Sequence, residues 1–457
     1  MTAAPRGPGR PGLWRHRDFL LLWAGQSISE LGSAVTMLAL PLTAVVALGA
    51  STFDVGLLAA ATTVPFLLIA LPAGLAVDRM AKRGLMIGCD AARMLIIGSV
   101  PIAAGLGRLT LFQLYAVAVA SGVLTVFFDV AYQSFTPALI DRDQLPDGNG
   151  KLAATQAFAQ VAGPGLGGGL FGLLRAGALA ADAASFAVST ISLLLIRARE
   201  PASRPAAPAA GAAKPRLRTE LFAGLSFIVR HPVLRRIAAC TATANLFTAM
   251  AISIEIIFLV RVLHVRPAYA GLLVAAAGLG GVAAGIASGR LSRWIGSARI
   301  IWVSMLVFDA PGLLLPLAEP GWRLALVVAG GAAMTFSAVL YNIAQLSYRQ
   351  AICPPGLLGR LNAAIRWIVW GTLPLGSIIG GTLGSVLGVR PTMWIGMAGS
   401  WAASLWVLFS PLRRMRDVPG PGDDSGADRS CGPAPASPPS PGRRRGPGAA
   451  RPAVQEP

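Results

Sequence analysis

Charge is what this sequence has least of. Only 13% of its 457 residues are Asp, Glu, Lys or Arg, against ~25% in an ordinary soluble domain. With 54% hydrophobic residues and a mean hydropathy of +0.63, the chain cannot be hidden inside one water-facing core. The ten-residue alternation of a membrane β-barrel is missing as well. Cysteine is scarce: Cys89, Cys240, Cys353 and Cys431 stand far apart and form no CxxC. That spacing argues for isolated reduced thiols, not a disulfide framework or thiolate metal site. The three histidines, His16, His231 and His264, are equally scattered. No metal site is expected. The only adjacent acids, Asp423 and Asp424, lie in a Pro/Gly-rich terminal segment, so a membrane enzyme would lack its aspartate-rich metal motif. No Walker-type loop is present, which argues against direct ATP drive within the chain. The first apolar run is too long for a cleavable signal peptide.

What the chain does have is apolar runs of about twenty residues, each long enough to cross a bilayer as a helix. Twelve fit: 19–45, 54–77, 85–106, 111–135, 151–172, 179–197, 236–262, 268–290, 300–317, 323–347, 363–387 and 392–411. The expected fold is therefore all-α and integral to the membrane. The net charge of +19 invites a nucleic-acid reading, but its distribution speaks against one. With these spans, 31 Arg and Lys fall on the side of both termini and 6 on the other. Such a bias places both termini in the cytoplasm. It makes the basic run Arg443–Arg445 a lipid-facing segment. The expected organisation is a disordered N-terminus over 1–17, a six-helix bundle over 18–197, a cytoplasmic Pro/Ala-rich linker over 198–231, a second six-helix bundle over 232–416, and a disordered tail over 417–457.

The two halves look alike. Gly56-Leu-Leu-Ala-Ala-Ala matches Gly271-Leu-Leu-Val-Ala-Ala, a shift of 215 that also carries Gly74 onto Gly289. Asn149 pairs with Asn362, and Gly167-Gly168 with Gly380-Gly381, at a shift of 213. Weak duplication at a near-constant shift marks a pseudo-symmetric pair of bundles. In the fifth span, Gly163-Pro-Gly-Leu-Gly-Gly168 formally satisfies the dinucleotide fingerprint, but no strand precedes it. Pro164 can bend the helix, and the glycines let a neighbour approach closely. Gly281, Gly285 and Gly289 in the eighth span, and Gly376, Gly380, Gly384 and Gly388 in the eleventh, predict further smooth faces.

One turn concentrates charge. Gly74-Leu-Ala-Val-Asp-Arg-Met-Ala-Lys-Arg-Gly84 sits between the second and third spans. Its cations read as topology signals. Asp78 does not, because it falls where the helix macrodipole is already negative. It needs a cationic partner, and Arg366 at the start of the eleventh span is one candidate. The pattern Gly74-x-x-x-Asp78-Arg79-x-x-Lys82-Arg83 resembles the helix 2–3 signature of the major facilitator superfamily. In that superfamily the turn latches two six-helix bundles in the outward-facing state. The Gly163, Pro164, Gly167, Gly168 motif resembles that of its antiporter branches. Phe128-Asp-Val-Ala-Tyr-Gln-Ser-Phe-Thr-Pro137 and Gly371-Thr-Leu-Pro-Leu-Gly376 resemble the drug:proton antiporters that include macrolide and siderophore exporters. The C-terminal turn departs from the pattern, since Arg293 stands where Asp78 would align.

The resemblance implies a monomeric, multi-pass secondary transporter of the inner (plasma) membrane. It would export hydrophobic or amphipathic small molecules in exchange for protons, without a cofactor or nucleic-acid partner. An importer on the same fold is the rival, and the Gly-Pro motif argues against it. Intramembrane acids are costly and mark function or a buried partner. Glu30, Asp129 and Glu255 fall on spans one, four and seven, which line the central cavity in the resembled fold. They are the candidates for proton coupling, Glu30 first and Asp129 second. Asp309 falls on an outer span and is expected to be structural. Asp90 and Arg93, three residues apart, read as a local ion pair. Gln26, Phe128, Tyr132, Gln133, Asn245, Tyr341, Asn342 and Gln345 are the candidate cavity residues. Aromatic walls with scattered amides suit a large amphipathic ligand.

Overall fold

The computed structural model describes residue 13 and residues 16–77, 80–140, 144–198, 225–353 and 358–418. Every regular element among them is helical. In chain order these are α1 (Arg17–Leu42), α2 (Thr52–Val77), α3 (Lys82–Gly105), α4 (Leu111–Leu139), α5 (Leu145–Leu174), α6 (Leu179–Leu195), α7 (Pro232–Ile257), α8 (Pro267–Ile295), α9 (Arg299–Val303), α10 (Ala325–Ile352), α11 (Leu358–Val386) and α12 (Val389–Ala402). Helix α9 continues as a π-turn over Ser304–Phe308 and a 3₁₀ stretch over Ala310–Leu317. Ten stretches are long and apolar enough to span a bilayer. One of them, Leu145–Leu195, holds both α5 and α6, separated by the 3₁₀ turn Arg175–Ala178. Helix α12, continued by Ser404–Leu408, completes the twelve. Asp78 and Arg79, most of the 1–17 and 198–231 segments, and the tail beyond Val418 lie outside the described residues.

The outer faces are apolar, as lipid contact requires: Leu173 is 83% exposed and Ile286 78%. Inside, the first half packs α1 on α5 and α6, α3 on α4 and α6, and α2 on α4. The second half packs α7 on α11 and α12, and α8 on α10. Helix α1 ends in a π-turn over Thr43–Ala47 and α7 in another over Phe258–Val262. These two irregularities are separated by the same 215 residues as the duplicated glycine motif. Asp309 lies at the junction of the π and 3₁₀ stretches, buried and hydrogen-bonded to Ser400 of α12. This bond ties it to α12.

The halves meet where α2 crosses α11 and α5 crosses α8. A Cβ on Gly56 would stand 2.6 Å from the Gly381 Cα, and one on Gly168 would stand 2.8 Å from the Gly271 Cα. Backbone touches backbone at both crossings. Since Gly56 maps onto Gly271 and Gly168 onto Gly381, they are one contact made twice. The motif in α5 serves two neighbours. A Cβ on Gly163 would meet Ala34 of α1 at 2.2 Å, and one on Gly167 the Val35 carbonyl at 3.0 Å, while Gly168 faces α8. In α11, Gly376 and Gly380 face α7, and Gly381 and Gly384 face α2. The stripe in α8 differs from expectation. An added Cβ meets open space at Gly285 and only Arg293 of its own helix at Gly289. The close packing of α8 falls instead to Gly271 and Gly280.

These contacts predict a contrast. Gly168→Val forces backbone apart and should cost ~1–3 kcal/mol by overpacking. Gly285→Ala should stay within about 0.5 kcal/mol of the parent. Thermal unfolding of the purified protein reads both, and equal stabilities would count against the crossing.

Candidate functional site

Near the Gly56–Gly381 crossing the two halves are also joined by Arg261, whose Nη2 donates to the Val45 carbonyl (3.3 Å). Further along α2 and α11, Phe66 stacks flat on Trp370 with ring centroids 4.3 Å apart. Beyond that stack, on the side away from the crossing, lies a cavity of about 350 Å³. Its walls come from both halves. Helix α2 supplies Phe66, Leu67 and Ala70, α4 supplies Asp129 and Gln133, and α11 supplies Asn362, Arg366, Trp367 and Trp370. An acid on α4 therefore faces the same space as a guanidinium on α11. Among the described residues neither has a hydrogen-bond or ion-pair partner, although each lies within electrostatic reach of the other.

Behind α4, the first half holds a buried polar network. Asp90 is fully buried and pairs with Arg93 one turn along α3. Ser189 Oγ of α6 donates to its second oxygen (2.6 Å). The Arg93 guanidinium lies between two rings, 4.6 Å from Phe128 and 4.3 Å from Phe186. It also donates to Thr125 (3.3 Å). The pair is therefore more than local, since it ties α3 to α4 and α6. Glu30, Asp129 and Asp182 all lie within electrostatic range of Arg93. Glu30 accepts from Gln26 Nε2 (2.9 Å) and lies near Asp129 and Tyr132.

With this geometry established, known proteins can be compared. The family model described as "Transmembrane secretion effector" matches residues 12–421. The chain belongs to that family, within the major facilitator superfamily. It is 24% identical over 434 residues to the multidrug efflux pump Tap of Mycolicibacterium fortuitum, covering 92% of this chain and 99% of that one. It is 25% identical over 327 residues to the enterobactin exporter EntS of Citrobacter koseri, covering 68% and 72%. A bacterial homologue of the human lysosomal transporter Spinster, solved inward-facing and occupied, shares the fold with a TM-score of 0.68 at 15% identity, over 89% of this chain and 98% of that one. The protein is thus a multi-pass transporter with a small-molecule substrate, from a family that is not a class of enzymes.

Of the residues anticipated from sequence, Asp129, Gln133 and Arg366 line the cavity, and Glu30 joins Asp129 through its electrostatic surroundings. Glu255 does not join them. It sits on α7 beside Ile256 and Ile257, which pack into the core of the first half. Phe128 and Tyr341 are corrected from cavity walls to core. Phe128 is 2% exposed and stacks on Tyr132 with centroids 6.1 Å apart. One residue along a helix is a turn of about 100°, so Asp129 facing the cavity turns Phe128 away. Tyr341 is buried, its hydroxyl bonded to Thr241 (2.8 Å) and the Ile237 carbonyl (3.2 Å), which fastens α10 to α7. Gln345 is buried and donates to Asn342 (3.0 Å). Asn245 bonds back to the Thr241 carbonyl (2.8 Å). Phe128, Tyr341, Asn342, Gln345 and Asn245 do not line the cavity, and neither do Gln26 and Tyr132.

At the charged turn, Arg83 donates through Nε to the Leu193 carbonyl (2.9 Å) and through Nη2 to that of Leu194 (2.8 Å). These are terminal acceptors of α6, which a cation suits. An added Cβ at Gly74 meets open space. Asp182 of α6 escaped the sequence reading. It is 1% exposed and accepts from Thr36 of α1 (2.5 Å) and from Ser185 (3.1 Å). Lying four residues into its span, it looks water-accessible in sequence. Only the close approach of α1 at Gly32 buries it, where a Cβ would reach Asp182 Oδ1 at 2.7 Å.

Removing the partner of a buried cation is strongly destabilising. Asp90→Ala should cost about 3–5 kcal/mol, read as a lower unfolding temperature of the purified protein. A loss comparable to that of an exposed substitution would refute the network.

Proposed function

We propose that this transporter exports hydrophobic or amphipathic small molecules, of drug, antibiotic or siderophore-like kind, in exchange for protons by alternating access. The carrying observation is one joined end opposed to an acid-lined cavity between the halves. The relatives, an efflux pump and an exporter, support export, as does the Gly-Pro motif of α5. Both termini are cytoplasmic in this reading, as the 31-to-6 bias of cations suggests. The cavity then faces the cytoplasm, where an exporter collects its cargo. The rocking bodies are residues 18–197 and 232–416, joined by the 198–231 linker. The monomer works in the plasma membrane, with 1–17 and 417–457 on the cytoplasmic side.

Glu30 is the first candidate for the proton carrier and Asp129 the second. Burial penalises a carboxylate's charge and favours taking up a proton, while opening to water favours its release. Glu255, without a charged neighbour, stands outside the relay. Gly74, Asp78, Arg79, Lys82 and Arg83 form the latch, which engages the other half near the start of α11 when the cytoplasmic side closes.

The test is uptake of a panel of drugs and siderophores by inside-out vesicles with an acid interior. Glu30→Gln should lose pH-driven uptake yet retain ligand binding, and undiminished drive would remove Glu30 from the mechanism. Asp78→Ala should abolish transport with membrane insertion unchanged. Normal export by that variant would refute the latch.

A further inference from the structure

The cavity holds two opposite charges on facing walls, and this restricts what can fill it. Asp129 on α4 and Arg366 on α11 belong to different halves and are not paired with each other. A cargo carrying one charge satisfies one wall. The other group is then left without a partner when water is expelled, which is unfavourable for either ion. A neutral cargo leaves both. The same cavity has an aromatic wall. Phe66 and Trp370 already stack face to face. Trp367, one helical turn before Trp370, is 51% exposed and offers a free ring. A volume of about 350 Å³ lies within the ordinary range for a drug-sized ligand. The amides of Gln133 and Asn362 add donors and acceptors at the same end of α4 and α11.

We propose that the preferred cargo is a flat aromatic zwitterion. Its amine meets Asp129, its carboxylate or comparable anion meets Arg366, and its ring system lies against Trp367 and the Phe66–Trp370 stack. The guanidinium fork suits a planar anion, and the tryptophan faces suit both a flat ring and a cationic edge. Such a cargo bridges the two halves through charge, so that closing around it leaves neither ion orphaned. The inference rests on the export reading for the use of this cavity, and it adds the chemical class of the cargo.

The experiment is calorimetric titration of the purified full-length protein, without any gradient, at neutral pH. Three probes share one ring system: a piperazinyl 4-quinolone carboxylic acid, its methyl ester and its N-acetyl derivative. They present a zwitterion, a cation and an anion. The zwitterion should bind at least tenfold more tightly than either relative. Arg366→Gln should bring the acid and its ester to equal affinity. Asp129→Asn should do the same for the acid and its N-acetyl derivative. The ranking in the unaltered protein decides the matter even where a variant fails to fold. An ester or N-acetyl derivative that binds as tightly as the acid overturns the proposal, as does no binding of any of the three. Loss of proton coupling would leave the ranking intact. An overturned ranking would leave pH-driven export of other compounds standing, so the two readings fail separately.

Discussion

Two places where backbone lies on backbone, Gly56 against Gly381 and Gly168 against Gly271, set the geometry of this transporter. No side chain with a Cβ fits at either point without displacing main chain. Helices of ordinary composition would hold the halves further apart and fill the gap with side chains. Because the crossings are related by the internal repeat, they join the halves along two parallel lines, α2 with α11 and α5 with α8. The cavity forms beyond them, past the Phe66–Trp370 stack, with walls from both α2 and α11. Smooth contacts of this kind let helices stay packed while they tilt, since no interdigitated side chains must be pulled apart.

The scaffold is duplicated, but the chemistry is not. The first half buries Asp90, Arg93 and Asp182, and places Glu30 and Asp129 within their field. The second half supplies Arg366 to the shared cavity and keeps its own acids, Glu255 and Asp309, away from it. Asp309 is bonded to Ser400, which also bonds Thr248 (3.1 Å). Asp129 and the cation that lines the same cavity, Arg366, therefore belong to different halves.

The spans, the duplication and the intramembrane acids were legible because each rests on one-dimensional physics: apolar length, a repeated shift and the cost of burying charge. The rotation of each helix was not. Phe128 and Asp129 are neighbours in sequence yet face different ways, about 100° apart, and a nearly uniform apolar helix gives no periodic pattern from which to read its inward face. The same uniformity hid the aromatic wall. Phe66 has no unusual neighbour in the chain, and its significance appears only when Trp370 arrives from 304 positions away. Trp370 did carry a signal, since it lies one turn from Arg366 on the same helical face. Asp182 was missed for a different reason. Its distance from the end of the span gives no sign of burial, which comes from a lateral neighbour, Gly32.

The mismatch at Arg293, where the repeat would place an acid like Asp78, has a physical answer. The α8–α9 turn receives its acid from elsewhere in its own half. Asp417, in the segment after α12, accepts from the Ser297 backbone N–H (2.9 Å) and hydroxyl (3.2 Å). These donors, the backbone one foremost, hold its carboxyl below the ordinary range. The Arg416 carbonyl accepts from Ala298 and Arg299 (3.0 and 3.3 Å), satisfying amides that open α9 and have no partner within the helix. Gly296 makes room, with φ of +106° and an absent Cβ that would otherwise stand 2.3 Å from that carbonyl oxygen. A turn clasped in this way by its own half is already engaged and has no acid left to reach across. The asymmetry at position 293 is thus matched by an acid from the same half, Asp417, at the α8–α9 turn.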